Sequence, residues 1–463
     1  MIPILHQSGK LLYEQVYEFY REAILHKRLP YNYRLPSHRT LARELGIGIN
    51  TILRAYEQLI HEGYVRNENR KGLFVARIDS GDWQVRPTRA TEQASAPKKK
   101  PKAVVEFKLT DQIVDERSFP LKEWRKCTNL ALDNMTFQYE SAEASDPLKE
   151  QLIRYLYDYR GVVTTPDRLL IGSGTNALLF WLAFVLRKTH SRIAFEEPGY
   201  HRPRALFSEL DYSTKAVAVN ADGLDVQQLK RVKADLLYLT PSHQFPTGGA
   251  IPVGNRVQIL TWARKNKAYI IEDDFDSEFR YKTRLMPSLQ GLDTYNTVIY
   301  TGTFSNALMP SLRVAYMVLP ASFPVDYAGY MYLTNTVPYI TRRTLAYFIE
   351  KGYWERHLKR MRKVYHEKYE ACIAALRKLP AGDITFNDNP SGLNILLGVH
   401  TRSSERELLE QATRQGIVIR PASVFYAEAS NRPKHPEVLF EFSALPLQAI
   451  ERVVKKLHTA WFS

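Results

Sequence analysis

A repeated alternation between residues 169 and 318 limits what this chain can fold into. Short β-rich apolar runs recur there: Leu169-Leu170-Ile171, Ile193-Ala194-Phe195, Leu236-Leu237-Tyr238-Leu239, Tyr269-Ile270-Ile271, Val298-Ile299-Tyr300 and Val314-Ala315-Tyr316-Met317-Val318. Segments of helical period, such as 177–187 and 256–265, separate most of them. Strands and helices taken in turn predict an α/β domain around a mainly parallel sheet. In such sheets ligands bind beyond the carboxyl ends of the strands. The polar motifs fall there: Glu-Glu-Pro-Gly-Tyr at 196–200, Thr-Pro-Ser-His-Gln-Phe-Pro-Thr-Gly at 240–248, Glu-Asp-Asp-Phe-Asp at 272–276 and Gly-Thr-Phe-Ser-Asn at 302–306. A Gly-Ser-Gly-Thr-Asn loop at 172–176 follows one strand and opens a helix, and backbone N–H groups at such a start can hold a phosphate.

At 463 residues the chain is too long for one ordinary domain, so two or three are expected. Hydrophobic periodicity vanishes between 79 and 104, where an Ala/Ser/Pro/Lys-rich run carries four lysines within 98–102. That composition reads as a flexible basic linker. It divides an N-terminal domain at 1–78 from a large domain at 105–463. In the first, Val16, Phe19, Tyr20, Ala23 and Ile24 give a helix over 13–29, stopped by Pro30. Ser37 is positioned to cap a short helix holding Leu41, Ala42 and Leu45, with Gly46 at its end. A second helix starts near 48 and places Ile52, Ala55, Tyr56 and Leu59 on one face. Two strands around a basic turn, Asn69-Arg70-Lys71-Gly72, follow. Paired short helices followed by a hairpin make a winged helix-turn-helix.

The run Leu-Pro-Ser-His-Arg-Thr-Leu-Ala-Arg-Glu-Leu-Gly at 35–46, the Asn50-Thr51 pair and the Ala55-Tyr56 to Gly63-Tyr64 stretch resemble the GntR-type winged helix. The resemblance implies that the second helix enters the major groove of a double-stranded DNA operator, with Arg39, Asn50 and Thr51 as contacts. Charge and position add Arg54, Arg70 and Lys71. The family's usual Ser-Arg before the Asn-Thr pair is Gly48-Ile49 here, which changes the expected operator rather than the binding mode.

The five motifs of the large domain, in this order, resemble the aminotransferase-like domain of MocR/GabR-type transcription regulators, a fold-type I pyridoxal 5′-phosphate (PLP) architecture. With the winged helix in front, the likeness covers nearly the whole chain. It implies that Gly174, Thr175, Thr303, Ser305 and Arg313 surround a phosphate. Tyr200 would stack on a pyridine ring, Asp273 would pair with the ring nitrogen, and Arg202 would lie near an effector carboxylate. Asn306 stands at the position of the Schiff-base lysine. An amide nitrogen, its lone pair delocalised into the carbonyl, does not attack an aldehyde as a primary amine does. Phe275 replaces a tyrosine that bonds the cofactor's phenolic oxygen, and Ala444 falls where a carboxylate-clamping arginine is expected. Lys265, Lys267 and Lys282 are off the motif. His243 and Gln244 either line the pocket or pack.

The expectation is a multidomain, cytoplasmic, homodimeric (head-to-tail) DNA-binding regulator that senses an unidentified small molecule. It has no catalytic residues and no metal, and PLP is either held non-covalently or absent. Two readings stay open beside it: a ligand-independent DNA-binding dimer, and an aminotransferase. The net charge of +15 suits a polyanionic partner. Two cysteines, Cys127 and Cys372, provide neither a disulfide framework nor a metal spacing. No apolar run reaches the ~18 residues of a membrane span. The start, Met-Ile-Pro-Ile-Leu-His-Gln, lacks a basic leader, so no signal peptide is expected.

Overall fold

The computed structural model describes residues 10–78, 105–110, 114–136, 146–282, 286–324 and 336–462. The linker expected at 79–104 lies outside the described residues. The chain forms two compact units, Met1–Lys100 and Pro101–Ser463.

The first unit contains helices α1 (Leu12–Leu25), α2 (His38–Leu45) and α3 (Ile49–His61), then strands β1 (Val65–Glu68) and β2 (Gly72–Val75). Ser37 caps α2, its Oγ accepting from the Thr40 N–H at 3.2 Å, and Gly46 ends the helix in the left-handed region at φ 65°. Gly48 caps α3 with no side chain to help. The helix expected over 13–29 ends at Leu25, before Pro30 is reached. Lys27 turns to φ 56°, and the Leu29 N–H donates back to the Ala23 carbonyl, closing the end locally. Val16, Ile52, Ala55, Tyr56 and Leu59 are wholly buried and form the core. The wing is an antiparallel pair, Val65 opposite Val75 and Glu68 opposite Gly72.

The second unit holds two sheets. Strands β3 (Phe107–Leu109), β4 (Leu169–Gly172), β5 (Arg192–Glu197), β6 (Ser213–Asn220), β7 (Gly223–Leu224), β8 (Leu236–Leu239), β9 (Tyr269–Asp274), β10 (Val298–Thr303) and β11 (Ala315–Val318) come first along the chain. Eight of these form one sheet in the order β4-β11-β10-β9-β8-β5-β6-β7. Its centre is parallel, as expected. The exceptions are β11, which runs antiparallel to both its neighbours, β10 and β4, and the short edge strand β7, antiparallel to β6. The central strand β8 and the edge strand β4 are both buried along their whole length, which is why they read as unbroken apolar runs.

A second sheet was not apparent from the strand–helix alternation. It joins β12 (Ile384–Phe386), β13 (Asn394–Val399), β14 (Ile417–Pro421) and β15 (Glu437–Glu441) to β3 in the order β12-β13-β15-β14-β3. Its pairs are antiparallel except β14 with β3. The 25-residue helix Tyr353–Arg377 buries Tyr369, Cys372, Ile373 and Leu376 against it. Among the described residues no helix is long and apolar enough to cross a membrane. No group of three or more His, Cys, Asp or Glu side chains there is placed to hold a metal ion.

Candidate functional site

The carboxyl ends of β4, β5, β8, β9 and β10 open onto one cavity of about 310 Å³. Thr175 and Asn176 reach it from the start of the helix Thr175–Leu186, and Tyr200 and Arg202 from the turn after β5. Asp273 and Phe275 come from the end of β9, and Thr303, Ser305, Asn306 and Arg313 from the β10–β11 connection. Of the cofactor and effector positions expected from the sequence, only Gly174 is not on this wall. It lies directly behind it: a Cβ there would sit 2.5 Å from Arg313 Nη2, and its φ of 101° suits glycine.

One end of the cavity is built for an anion. Arg313 Nη2 leans on the Ser173 carbonyl at 3.4 Å. Thr303 Oγ1 donates to Ser305 Oγ at 3.1 Å, so the two hydroxyls stand side by side. The helix Thr175–Leu186 begins here and adds its unpaired N–H groups and positive end. Guanidinium, two hydroxyls and a helix start are the donor set a phosphate takes.

The other end holds Asp273, which is 4% exposed. Its Oδ2 accepts from the buried Tyr238 hydroxyl, while Oδ1 has no hydrogen-bond partner among the described residues. Burial, together with nearby Asp274 and Asp276, pushes its carboxyl up to about 6. Asp273 lines the cavity, and a buried carboxyl with one oxygen unpartnered fits a protonated ring nitrogen. The residues present therefore fit a pyridine ring carrying a phosphate. When bound, such a group supplies an electron-withdrawing ring; these side chains supply its orientation. Tyr200, its phenol pushed up by burial, and Phe245 pack edge to face at 5.7 Å beside this position.

The Asn306 Nδ2 donates to the Phe275 carbonyl at 2.8 Å. A carbonyl oxygen only accepts, so the amide nitrogen must face it. That leaves Oδ1 turned to the cavity. Phe275 presents only its ring, 5.9 Å from Phe245. Nothing on this wall can form a Schiff base. Lys282 instead pairs with Glu370 at 2.9 Å, and Lys265 and Lys267 are not on the wall.

One expectation changes, and one open alternative is resolved. Ala444 does not line the cavity; Glu441, at the end of β15, does, with Arg420 of β14 at 3.2 Å. Those two residues come from the second sheet and Phe425 from the short helical turn Ser423–Phe425 after β14, and none was anticipated. His243 and Gln244 take the packing alternative. His243 Nδ1 meets Asp276 at 2.8 Å, and the Gln244 amide donates to the Pro198 carbonyl at 2.9 Å.

In the first unit, Arg39, Asn50, Arg70 and Lys71 are exposed and Thr51 is half-buried. Asn50 and Thr51 lie in the first turn of α3. Arg54 is exposed, but its guanidinium sits 4.1 Å above the Tyr13 ring. Arg70 takes the wing turn at φ 65°, and Lys71 lies 3.8 Å from Glu68.

The bacterial regulatory proteins gntR family model matches residues 12–75, and the aminotransferase class I and II model matches 109–455. The HTH-type transcriptional regulator YdeL of Bacillus subtilis (strain 168) is 36% identical over 99% of both chains. The chain belongs to the MocR-type transcriptional regulators. The probable rhizopine catabolism regulatory protein MocR of Rhizobium meliloti is 28% identical over 98% of this chain and 94% of its own. Among solved structures, the kynurenine aminotransferase of Pyrococcus horikoshii aligns with a TM-score of 0.69 at 22% identity. It covers 77% of this chain and 90% of its own, and the likeness is one of fold. In this regulator the gntR segment coincides with the winged helix, and the aminotransferase segment with the two-sheet unit.

The buried Asp273 carboxyl predicts a pH dependence. With its value near 6, it gains a proton as pH falls through that point and no longer pairs with a ring N–H⁺. Binding of a pyridine phosphate should therefore weaken below about pH 6 and stay level above it. Titration calorimetry from pH 5 to 8 checks this, and Asp273→Asn should flatten the profile.

Proposed function

We propose that this MocR-type regulator binds a DNA operator as a head-to-tail homodimer. Its aminotransferase-like unit holds a phosphate-bearing pyridine, PLP or a relative, without a covalent bond, and does not catalyse transamination. The observation that carries this is the pairing on one wall of an intact anion cradle and ring carboxylate with an amide at the lysine position. Arg202 stands on the same wall, where an effector's anionic group can meet it. A ligand that binds one arrangement of the dimer better than another shifts the spacing of the paired winged helices. Asn50 and Thr51, at the start of α3, are the base-reading positions, with Arg39, Arg54, Arg70 and Lys71 as phosphate contacts.

The test is an electrophoretic shift against the DNA upstream of the protein's own gene, with and without the vitamer. Sequence-dependent binding that changes with ligand is expected. Binding indifferent to sequence would overturn the regulator reading. DNA affinity unchanged across the B6 vitamers would overturn the sensing role and leave the large unit a dimeriser. Each phosphate contact steepens the salt dependence by about 0.9 in log–log slope. Replacing Arg70 and Lys71 together by alanine should therefore flatten it by about 2, with little change in sequence preference.

A further inference from the structure

The aminotransferase-like cavity contains an acceptor where lysine chemistry would require a nucleophile. The Asn306 side chain is 6% exposed, and its nitrogen is committed to the Phe275 carbonyl at 2.8 Å. Its Oδ1 receives no hydrogen bond from any described residue. It is also absent from the sealed, unsatisfied polar atoms of the structure, so it is open to the cavity. Beside it Phe275 offers a ring with no hydroxyl. A second acceptor, the Glu441 carboxylate paired with Arg420, reaches the same cavity from β15 and is 4% exposed at its side chain. Asn306 Oδ1 therefore lacks a donor among the described residues, and a ligand can supply one.

We propose that this site selects the amine form of a pyridine phosphate, a 4-aminomethyl ring such as pyridoxamine 5′-phosphate, over the aldehyde form. The inference rests on the pyridine-phosphate reading above and goes further by naming the substituent. An aldehyde presents only lone pairs, and against Oδ1 it would leave two acceptors facing each other. An alkyl ammonium, charged near neutral pH, can donate to Oδ1 and also to the ring's own phenolic oxygen, for which Phe275 has no donor. The reach is right as well. From Cβ, a lysine arrives at the ring substituent through three methylenes and its nitrogen. The shorter amide arrives through Cγ, Oδ1, one hydrogen bond of about 2.9 Å and the amine nitrogen.

The full-length protein is titrated in a calorimeter with three probes: pyridoxamine 5′-phosphate, PLP and 4′-deoxypyridoxine 5′-phosphate. The last has a methyl group in place of the 4-aminomethyl group and does not react with surface lysines. A hydrogen bond to a charged donor predicts that the amine binds about tenfold or more tighter than either comparator. In Asn306→Leu, which keeps the bulk and loses the acceptor, that advantage should fall to near unity while the deoxy compound binds as before. In Asn306→Lys the order should reverse, PLP binding best and developing a Schiff-base absorbance. PLP or the deoxy compound binding the native protein as tightly as the amine would overturn the proposal, as would an advantage that persists in Asn306→Leu. If none of the three binds, the pyridine-phosphate reading of the cavity fails, and this inference with it.

Discussion

Arg160→Ala is expected to destabilise the aminotransferase-like unit by about 3–5 kcal/mol, the cost of stranding a buried charge. Arg160 ends the helix Pro147–Arg160 and is 3% exposed. Its Nε meets Asp274 at 2.7 Å, Nη1 donates to the Met286 carbonyl at 2.6 Å, and Nη2 donates to Ser242 Oγ at 2.6 Å. The Tyr300 hydroxyl donates to the same Asp274 oxygen at 2.5 Å. Removing the guanidinium leaves the Met286 carbonyl and Ser242 Oγ without this donor and the Asp274 carboxylate without its counter-charge. Asp274 adjoins Asp273, so the loss acts next to the cavity. Urea unfolding monitored on the large unit measures the effect. Tyr300→Phe, which removes one hydrogen bond and leaves the ion pair, should cost about 0.5–1.5 kcal/mol. A loss below about 1 kcal/mol for Arg160→Ala would mean that Asp274 becomes neutral when its partner goes.

The second large effect is on binding. Arg313→Ala removes the guanidinium that the described residues place at the anion end, and each hydrogen bond from a charged donor contributes about 1.5–3 kcal/mol. Two such bonds to a phosphate predict a loss of about a hundredfold or more in affinity for pyridoxamine 5′-phosphate, with little change in stability. Gly174→Ala should give much the same binding defect by a different route. The added Cβ would lie 2.5 Å from Nη2 and 2.9 Å from Cζ of Arg313, and the end of a flexible side chain yields first. The guanidinium would swing out of the cradle, and the positive φ would add about 1 kcal/mol of backbone strain. Calorimetric titration beside thermal melts separates the two effects. A Gly174→Ala protein that binds normally would show that Arg313 is not fixed by that contact.

What the sequence disclosed depended on where each residue lies. Thr175, Tyr200, Asp273 and Thr303 each sit just beyond or at the end of an apolar β run, so an α/β reading points straight at them. Asn306 was legible because it interrupts a motif whose other members are intact. The second sheet was hidden because β3 and β14 pair across more than three hundred residues of chain. Arg420 and Glu441 belong to that sheet. Glu441 ends a strand whose other inner residues, Val438, Leu439 and Phe440, are buried and apolar, and nothing local marks it as a cavity residue. Diffuse flanking sequence put the clamp position at Ala444, which does not line the cavity. In the winged helix, spacing fixed both short helices, but the early end of α1 came from a left-handed Lys27 that no pattern announces.

The antiparallel β11 has one more consequence. Because the chain doubles back at once, Thr303, Ser305, Asn306 and Arg313 share a single hairpin, and β11 lies against β4, whose end leads into Gly174. The parts that grip the ligand are braced by two strands. The residue that reads its reactive end lies between them, and its backbone carries none of the pairing. Position 306 can therefore be exchanged like a bit in a drill chuck. An ancestral catalyst could lose its chemistry there in one substitution, keep its hold on the molecule, and become a receptor without refolding anything.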